Sequence, residues 1–166
     1  MSELKTSISG VRGMVPEFLN ESEARDFAMA FGTYIGGGKV ILGRDTRPTG
    51  EMIKAAVIDG LTSTGCEVID IGIVPTPTVQ IITRDLNAKG GVVVTASHNP
   101  LPWNGIKFIK GEGIFLNAAE AEKFFSVYHK KKYQITCPPA GAAKNKSQTT
   151  LYGGAIDDHI RKVLDF

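Results

Sequence analysis

The residues with the clearest chemical potential come directly after a run of valines. Ser97 and His98 stand side by side, followed by Asn99 and Pro100. A hydrolase-type serine nucleophile needs flanking glycines and a histidine that reaches its hydroxyl across the fold. Ala96 and His98 flank Ser97 instead, which argues against a hydrolase. Two interpretations stay open: an ordinary turn stabilised by Ser and Asn side chains, or a serine that carries a covalent group.

Two other glycine-containing segments are also rich in hydrogen-bond donors. In residues 9–13, SGVRG, Arg12 lies between glycines, where a ligand can approach the backbone closely. Residues 43–50, GRDTRPTG, follow a predicted strand and precede a predicted helix, where binding crevices form in α/β sheets. We interpret Asp45 and Arg47 as structural residues of this second segment, with Asp45 paired to a neighbouring arginine.

Composition limits the classes of protein to consider. The chain has 166 residues, 42% of them hydrophobic, and a formal net charge of +2, which fits one globular domain. The one dense basic cluster, at residues 130–132, is too short for a nucleic-acid-binding stripe, so we expect no nucleic-acid partner. No apolar run approaches the roughly 20 residues of a membrane helix. Since a secretory signal is also absent, we expect no membrane partner and a cytoplasmic location.

Strand-like and helix-like segments alternate along the chain, which predicts an α/β fold with three α/β/α layers. About four strands are predicted, at residues 39–43, 66–72, 90–97 and 105–110. Helices are predicted at residues 23–37, 49–65, 76–87 and 117–131. Asn104 and Gly105 are typical of a tight turn that reverses the chain. We therefore expect a mixed, mostly parallel sheet.

The end of the chain differs in character from the rest. We predict a domain over residues 1–135 and a linker over 136–153, which is rich in Pro, Ala and Lys and lacks periodicity. Residues 154–166 then begin an amphipathic helix that we expect to have nothing to pack on. We interpret this helix as the truncated start of a second domain, and the chain as the first part of a longer protein.

Residues 95–107, TASHNPLPWNGIK, resemble the active-site loop of the α-D-phosphohexomutases, the phosphoglucomutase/phosphomannomutase superfamily. SGVRG (9–13), GRDTRP (43–48) and PTPTV (75–79) resemble landmarks of the first domain of that family, in the same order. The chain is therefore identified as resembling the N-terminal domain I of a phosphohexomutase.

The resemblance implies an enzyme that moves phosphate between C6 and C1 of a hexose such as glucose or mannose. Ser97 would be a phosphoserine that phosphorylates a bound sugar monophosphate and is rephosphorylated from the bisphosphate intermediate. Lys107 matches the proposed general acid/base. A nearby Arg12 would lower its pKa and a phosphate would raise it, so that role stays open; His98 could position groups or move a proton. The implied catalytic residues are Ser97, His98, Lys107 and Arg12, and the implied phosphate-binding residues are Arg12, Asn99, Lys107 and Arg44.

The resemblance also implies groups that this sequence does not supply alone. Mg²⁺ would be bound by the Ser97 phosphate and by oxygen ligands from later domains, and glucose 1,6-bisphosphate would activate the parent enzyme. The partners would be a phosphosugar and the remaining domains of the same polypeptide, so we expect the fragment by itself to be inactive. Two alternatives stay open: domain I of a phosphoglucosamine mutase, or a non-catalytic phosphosugar-binding module.

Overall fold

The computed structural model describes residues 4–136 and 149–165. Within them, the strands are β1 (Lys5–Ser7), β2 (Gly10–Met14), β3 (Gly38–Arg44), β4 (Cys66–Ile73), β5 (Gly90–Val94), β6 (Trp103–Lys110) and β7 (Thr149–Leu151). The helices are α1 (Glu21–Ile35), α2 (Gly50–Ser63), α3 (Thr76–Asp85), α4 (Ala118–Lys130) and α5 (Ala155–Leu164). None of these five helices has the length and apolar character needed to cross a membrane.

One mixed sheet contains the described strands, in the order β1-β2-β6-β5-β3-β4-β7. Strands β5, β3, β4 and β7 pair in parallel, whereas β1, β2, β6 and β5 pair antiparallel. The four predicted strands are present, but the sheet has seven strands rather than about four. The additional strands are short, and their residues form strands because they pair with other strands. In particular, residues 10–14, which overlap the SGVRG segment, form β2 between β1 and β6.

Alternate residues of the central strand β5 face two separate cores, which confirms the three-layer α/β/α prediction. Val92 and Val94 pack with α1, α2 and α4, including the fully buried Phe31. Val93 faces the opposite side and packs with Val79 of α3. A strand buried on both faces reads as a continuous apolar run, which explains the valines that precede Ser97.

The end of the chain joins the sheet. Strand β7 lies within the predicted linker, yet it pairs in parallel with β4, with Thr149 opposite Val68; residues 137–148 of that segment lie outside the described residues. Helix α5, expected to have nothing to pack on, contacts α3 through a 2.7 Å hydrogen bond between His159 Nδ1 and Thr78 Oγ1. The division into domains stays a prediction, and α5 has a packing partner inside this chain.

Candidate functional site

Ser97 lies on an exposed turn just beyond the carboxyl end of β5. Its backbone has φ of 59°, in the left-handed region that strains a non-glycine residue and often occurs at functional sites. The Ser97 amide donates a 2.9 Å hydrogen bond to Thr95 Oγ1, which stabilises this conformation. The predicted turn is therefore present, and it presents the serine to solvent.

The surroundings of Ser97 do not activate it as a hydrolase nucleophile. Its Oγ lies 3.5 Å from His98 Nδ1, at the outer limit of a hydrogen bond. Within residues 4–136 and 149–165, no carboxylate is hydrogen-bonded to His98 to orient the ring as in a catalytic triad. The described surroundings of Ser97 thus do not form a hydrolase-type triad.

Arg47 fixes the backbone of the Ser97 loop, a role that sequence reasoning missed. Its Nη2 donates to the carbonyl oxygens of Ser97 (2.9 Å) and Asn99 (2.6 Å), and its Nη1 donates to that of Trp103 (2.8 Å). Asp45 accepts from Nε at 3.1 Å, which confirms the predicted pairing of Asp45 with a neighbouring arginine. A rigid guanidinium fork with several donors is suited to such a bridge. The signal in the sequence was the second arginine of GRDTRP.

Arg12 reaches the same loop from β2. Its Nη1 donates a 2.9 Å hydrogen bond to Asn99 Oδ1, and its Cα partner on β6 is Gly105. A Cβ at Gly105 would lie 2.7 Å from Arg12 Cγ and 2.6 Å from the Val11 carbonyl oxygen, so a side chain would not fit there. The tight turn expected at residues 104–105 is therefore wrong: both residues belong to β6, and the reversal precedes them.

Lys107 lies on the same face of the sheet as Arg12, because residues 105 and 107 of β6 share one face. Burial lowers the pKa of Lys107, and the positive charge of Arg12 lowers it further. Its Nζ lies 5.6 Å from the centre of the Phe115 ring. This pKa shift is in the direction that a lysine base requires.

Arg44 forms its side-chain contacts within its own connection, between β3 and α2. Its guanidinium forms a 3.1 Å ion pair with Glu51 and donates a 3.0 Å hydrogen bond to the Asp45 carbonyl oxygen. Because both contacts are internal to the β3–α2 connection, they give Arg44 a local structural role. Binding of a phosphate by Arg44 stays a prediction.

A cavity of about 300 Å³ opens beside the Ser97 loop. This volume is at the lower end of the range for small-molecule sites. Three predicted residues, Arg12, His98 and Asn99, meet in it, and so does Trp103, which belongs to the motif of residues 95–107. The structure adds three residues that the sequence did not indicate: Lys5, Thr6 and Ser7.

The described residues do not form a metal site by themselves. Among residues 4–136 and 149–165, no three His, Cys, Asp or Glu side chains are grouped to bind a metal ion. Binding of Mg²⁺ here would therefore need a phosphate on Ser97 and further ligands from outside the described residues.

The fold and the site together define a phosphomutase-type α/β/α domain. The sequence matches the family described as "Phosphoglucomutase/phosphomannomutase, alpha/beta/alpha domain I" over residues 3–134. Since this match covers most of the chain, the chain belongs to that family.

Two curated proteins are also similar in sequence to this chain. The sequence is 48% identical over 134 residues to a phosphoglucomutase/phosphomannomutase of Thermococcus kodakarensis and 41% identical over 128 residues to a phosphoglucosamine mutase of Nautilia profundicola. These alignments cover 75% and 76% of the chain but only 29% of each relative. The chain thus spans less than a third of the curated relatives it matches.

A solved structure supports the fold alone. A phosphoglucomutase/phosphomannomutase family protein of Burkholderia thailandensis superposes with a TM-score of 0.75 at 23% identity. That superposition covers 95% of this chain and 35% of the other.

Proposed function

We propose that this chain is the phosphoserine-bearing domain of a phosphohexomutase that interconverts hexose 6-phosphate and hexose 1-phosphate. The observation that carries the proposal is the exposed Ser97, at positive φ beside the Arg12-containing cavity. Arg47 and Arg12 fix its loop, as positioning of the reacting phosphoryl group requires. The relatives named above act on different sugars, and the choice of sugar is left to the assay below.

The chemistry proposed for the Ser97 phosphate is a transfer to a sugar hydroxyl. The hydroxyl oxygen forms a bond to phosphorus and its proton passes to a base, while the bond from phosphorus to Ser97 Oγ breaks and a proton returns to Oγ, so that Ser97 leaves as a neutral hydroxyl. Lys107 is our candidate base because burial and Arg12 lower its pKa. Arg12 neutralises the negative charge on the oxygens of the transferring phosphoryl group, and the Asn99 side chain donates hydrogen bonds to them. The Ser97 phosphate would also give Mg²⁺ one oxygen ligand, with the others from outside the described residues.

The first test asks whether Ser97 accepts a phosphoryl group. A longer protein that contains the chain is incubated with glucose 1,6-bisphosphate and Mg²⁺ and is analysed by intact mass spectrometry and peptide mapping. We expect one phosphate, on Ser97, lost in Ser97→Ala and retained in the matched control Ser22→Ala, an exposed serine on α1.

The second test asks for turnover and separates the sugars. The longer protein is assayed with the 1-phosphates of glucose, mannose and glucosamine in the presence of Mg²⁺. Full activity in Ser97→Ala would overturn the proposal. A non-catalytic phosphosugar-binding module, the remaining alternative, would bind these sugars without phosphate on Ser97.

A further inference from the structure

The cavity beside Ser97 contains a lysine that the family motifs do not include. Lys5 is directly opposite Arg12 in the β1–β2 pair, and Arg12 is opposite Gly105 in the β2–β6 pair. Residues opposite each other in adjacent strands project from the same face of the sheet. One face of the sheet therefore carries Lys5 on β1, Arg12 on β2 and Lys107 on β6, three adjacent strands.

This arrangement is unfavourable without a counter-charge. Like charges directly opposite in an antiparallel pair repel, and the side chains that line the cavity include no carboxylate among the described residues. In that same part of the chain, Lys5 forms no ion pair, whereas Lys54 and Lys110 each contact an acidic side chain. An anionic ligand would supply the missing charge.

The position of Lys5 is defined by contact with the Ser97 loop. Its Nζ lies 5.4 Å from the centre of the Trp103 ring, within the range of a cation–π interaction. Trp103 in turn belongs to the segment fixed by Arg47 through its carbonyl oxygen. The ammonium group thus lies at the cavity rather than being free over the surface.

A neutral donor completes the lining. Asn99 accepts from Arg12 with Oδ1, which leaves its side-chain NH₂ group available to donate to a ligand. Two cations together with this amide donor form a lining suited to phosphate oxygens.

We propose that Lys5 and Arg12 form a phosphate-binding subsite in this cavity, which takes the phosphate group of a small-molecule phosphate ester. The inference deepens the proposed function, on which it rests for the identity of the ester. In this subsite Lys5 is a binding residue that contacts the ligand and not the reacting bond.

The test measures binding of inorganic phosphate to the 166-residue chain at low ionic strength, without turnover. The chain has one tryptophan, so the Trp103 indole N–H signal in ¹H–¹⁵N spectra reports the cavity directly. We expect Lys5→Met to weaken binding about fivefold, as for loss of one exposed charge, and Lys5→Arg to restore it. The matched control is Lys89→Met, an exposed lysine before β5 at the opposite end of the sheet.

The outcomes separate this inference from the proposed function. Binding by Lys5→Met within twofold of wild type, or equal weakening in Lys89→Met, would overturn the subsite. A longer protein that binds phosphate through Lys5 but is never phosphorylated on Ser97 would retain the subsite and refute the mutase.

Discussion

Two groups of basic residues in this domain differ in what neutralises them. The site cations, Lys5, Arg12 and Lys107, line one face of the antiparallel half of the sheet and include no ion pair among the described residues. The paired cations, Arg44 and Lys54, lie around β3, β4 and α2 and contact carboxylates at 2.8–3.1 Å.

The paired cations stabilise the fold. Burial alone would lower the pKa of Lys54, but its hydrogen bonds to Asp70 and Glu51 raise it. Burial lowers the pKa of Lys107, and the charge of Arg12 lowers it further. Lys54 and Lys107 thus have opposite pKa shifts, because Lys54 has acidic partners and no carboxylate of the described residues contributes at Lys107.

The largest expected effect is a loss of stability when a paired cation, Lys54, loses its buried carboxylate partner. Asp70 is buried and accepts from Lys54 at 2.8 Å and from the Gly72 amide at 2.9 Å. Asp70→Ala should lower the free energy of unfolding by about 3 kcal/mol, because it removes the buried partner of the Lys54 ammonium group and leaves only the exposed Glu51. Urea denaturation measures this loss, and phosphate binding at the Trp103 signal should be unchanged. A variant with wild-type stability would contradict the division into two groups.

The next largest effect concerns the Ser97 loop, whose backbone Arg47 holds in place. Arg47→Lys removes the fork that donates to the carbonyl oxygens of Ser97, Asn99 and Trp103. The rate of Ser97 phosphorylation should fall about 100-fold, the cost of a displacement of about 1 Å at a reacting centre. Rapid-quench sampling with mass spectrometry gives the rate. Arg84→Lys on α3, whose arginine is exposed, is the matched control and should react at the wild-type rate.

A smaller effect is the pH dependence contributed by Lys107. Because its pKa is lower in the folded than in the unfolded chain, the unfolded state binds more protons between the two pKa values. The free energy of unfolding should therefore rise with pH as Lys107 deprotonates in the folded state. Relative to Lys107→Met, the wild type should gain stability through the alkaline range below the ordinary lysine pKa. Parallel pH profiles for the two proteins would show that Lys107 has an ordinary pKa.

The smallest effect is expected at the exposed edge of the paired group. Glu51 contacts Arg44 and Lys54, but its side chain is 63% exposed. Glu51→Gln should cost less than about 1 kcal/mol, since solvent screens such pairs. Thermal unfolding at two salt concentrations tests this, and a loss as large as that of Asp70→Ala would refute the role of burial.

The sequence predicted the parts of the fold whose pattern is local. The four long or apolar strands and the α1–α4 helices follow from hydrophobic periodicity. Strands β1, β2 and β7 could not be predicted in the same way, because three to five residues carry too little periodicity and become strands only through pairing. The partner of α5 was missed for a similar reason: its contact with α3 joins Thr78 to His159, 81 residues apart.

The sequence by itself determined that this chain is a layered α/β domain with an exposed Ser-His-Asn-Pro turn after a buried strand. It also determined the family, because a thirteen-residue motif and three ordered landmarks leave little room for coincidence. Only the tertiary structure decided that Arg47 bonds to the serine loop, that Arg44 pairs with Glu51, and that Lys5 faces Arg12. The physical reason is that the neutralising partner of a charge depends on strand register and packing, which residue spacing along the chain does not encode.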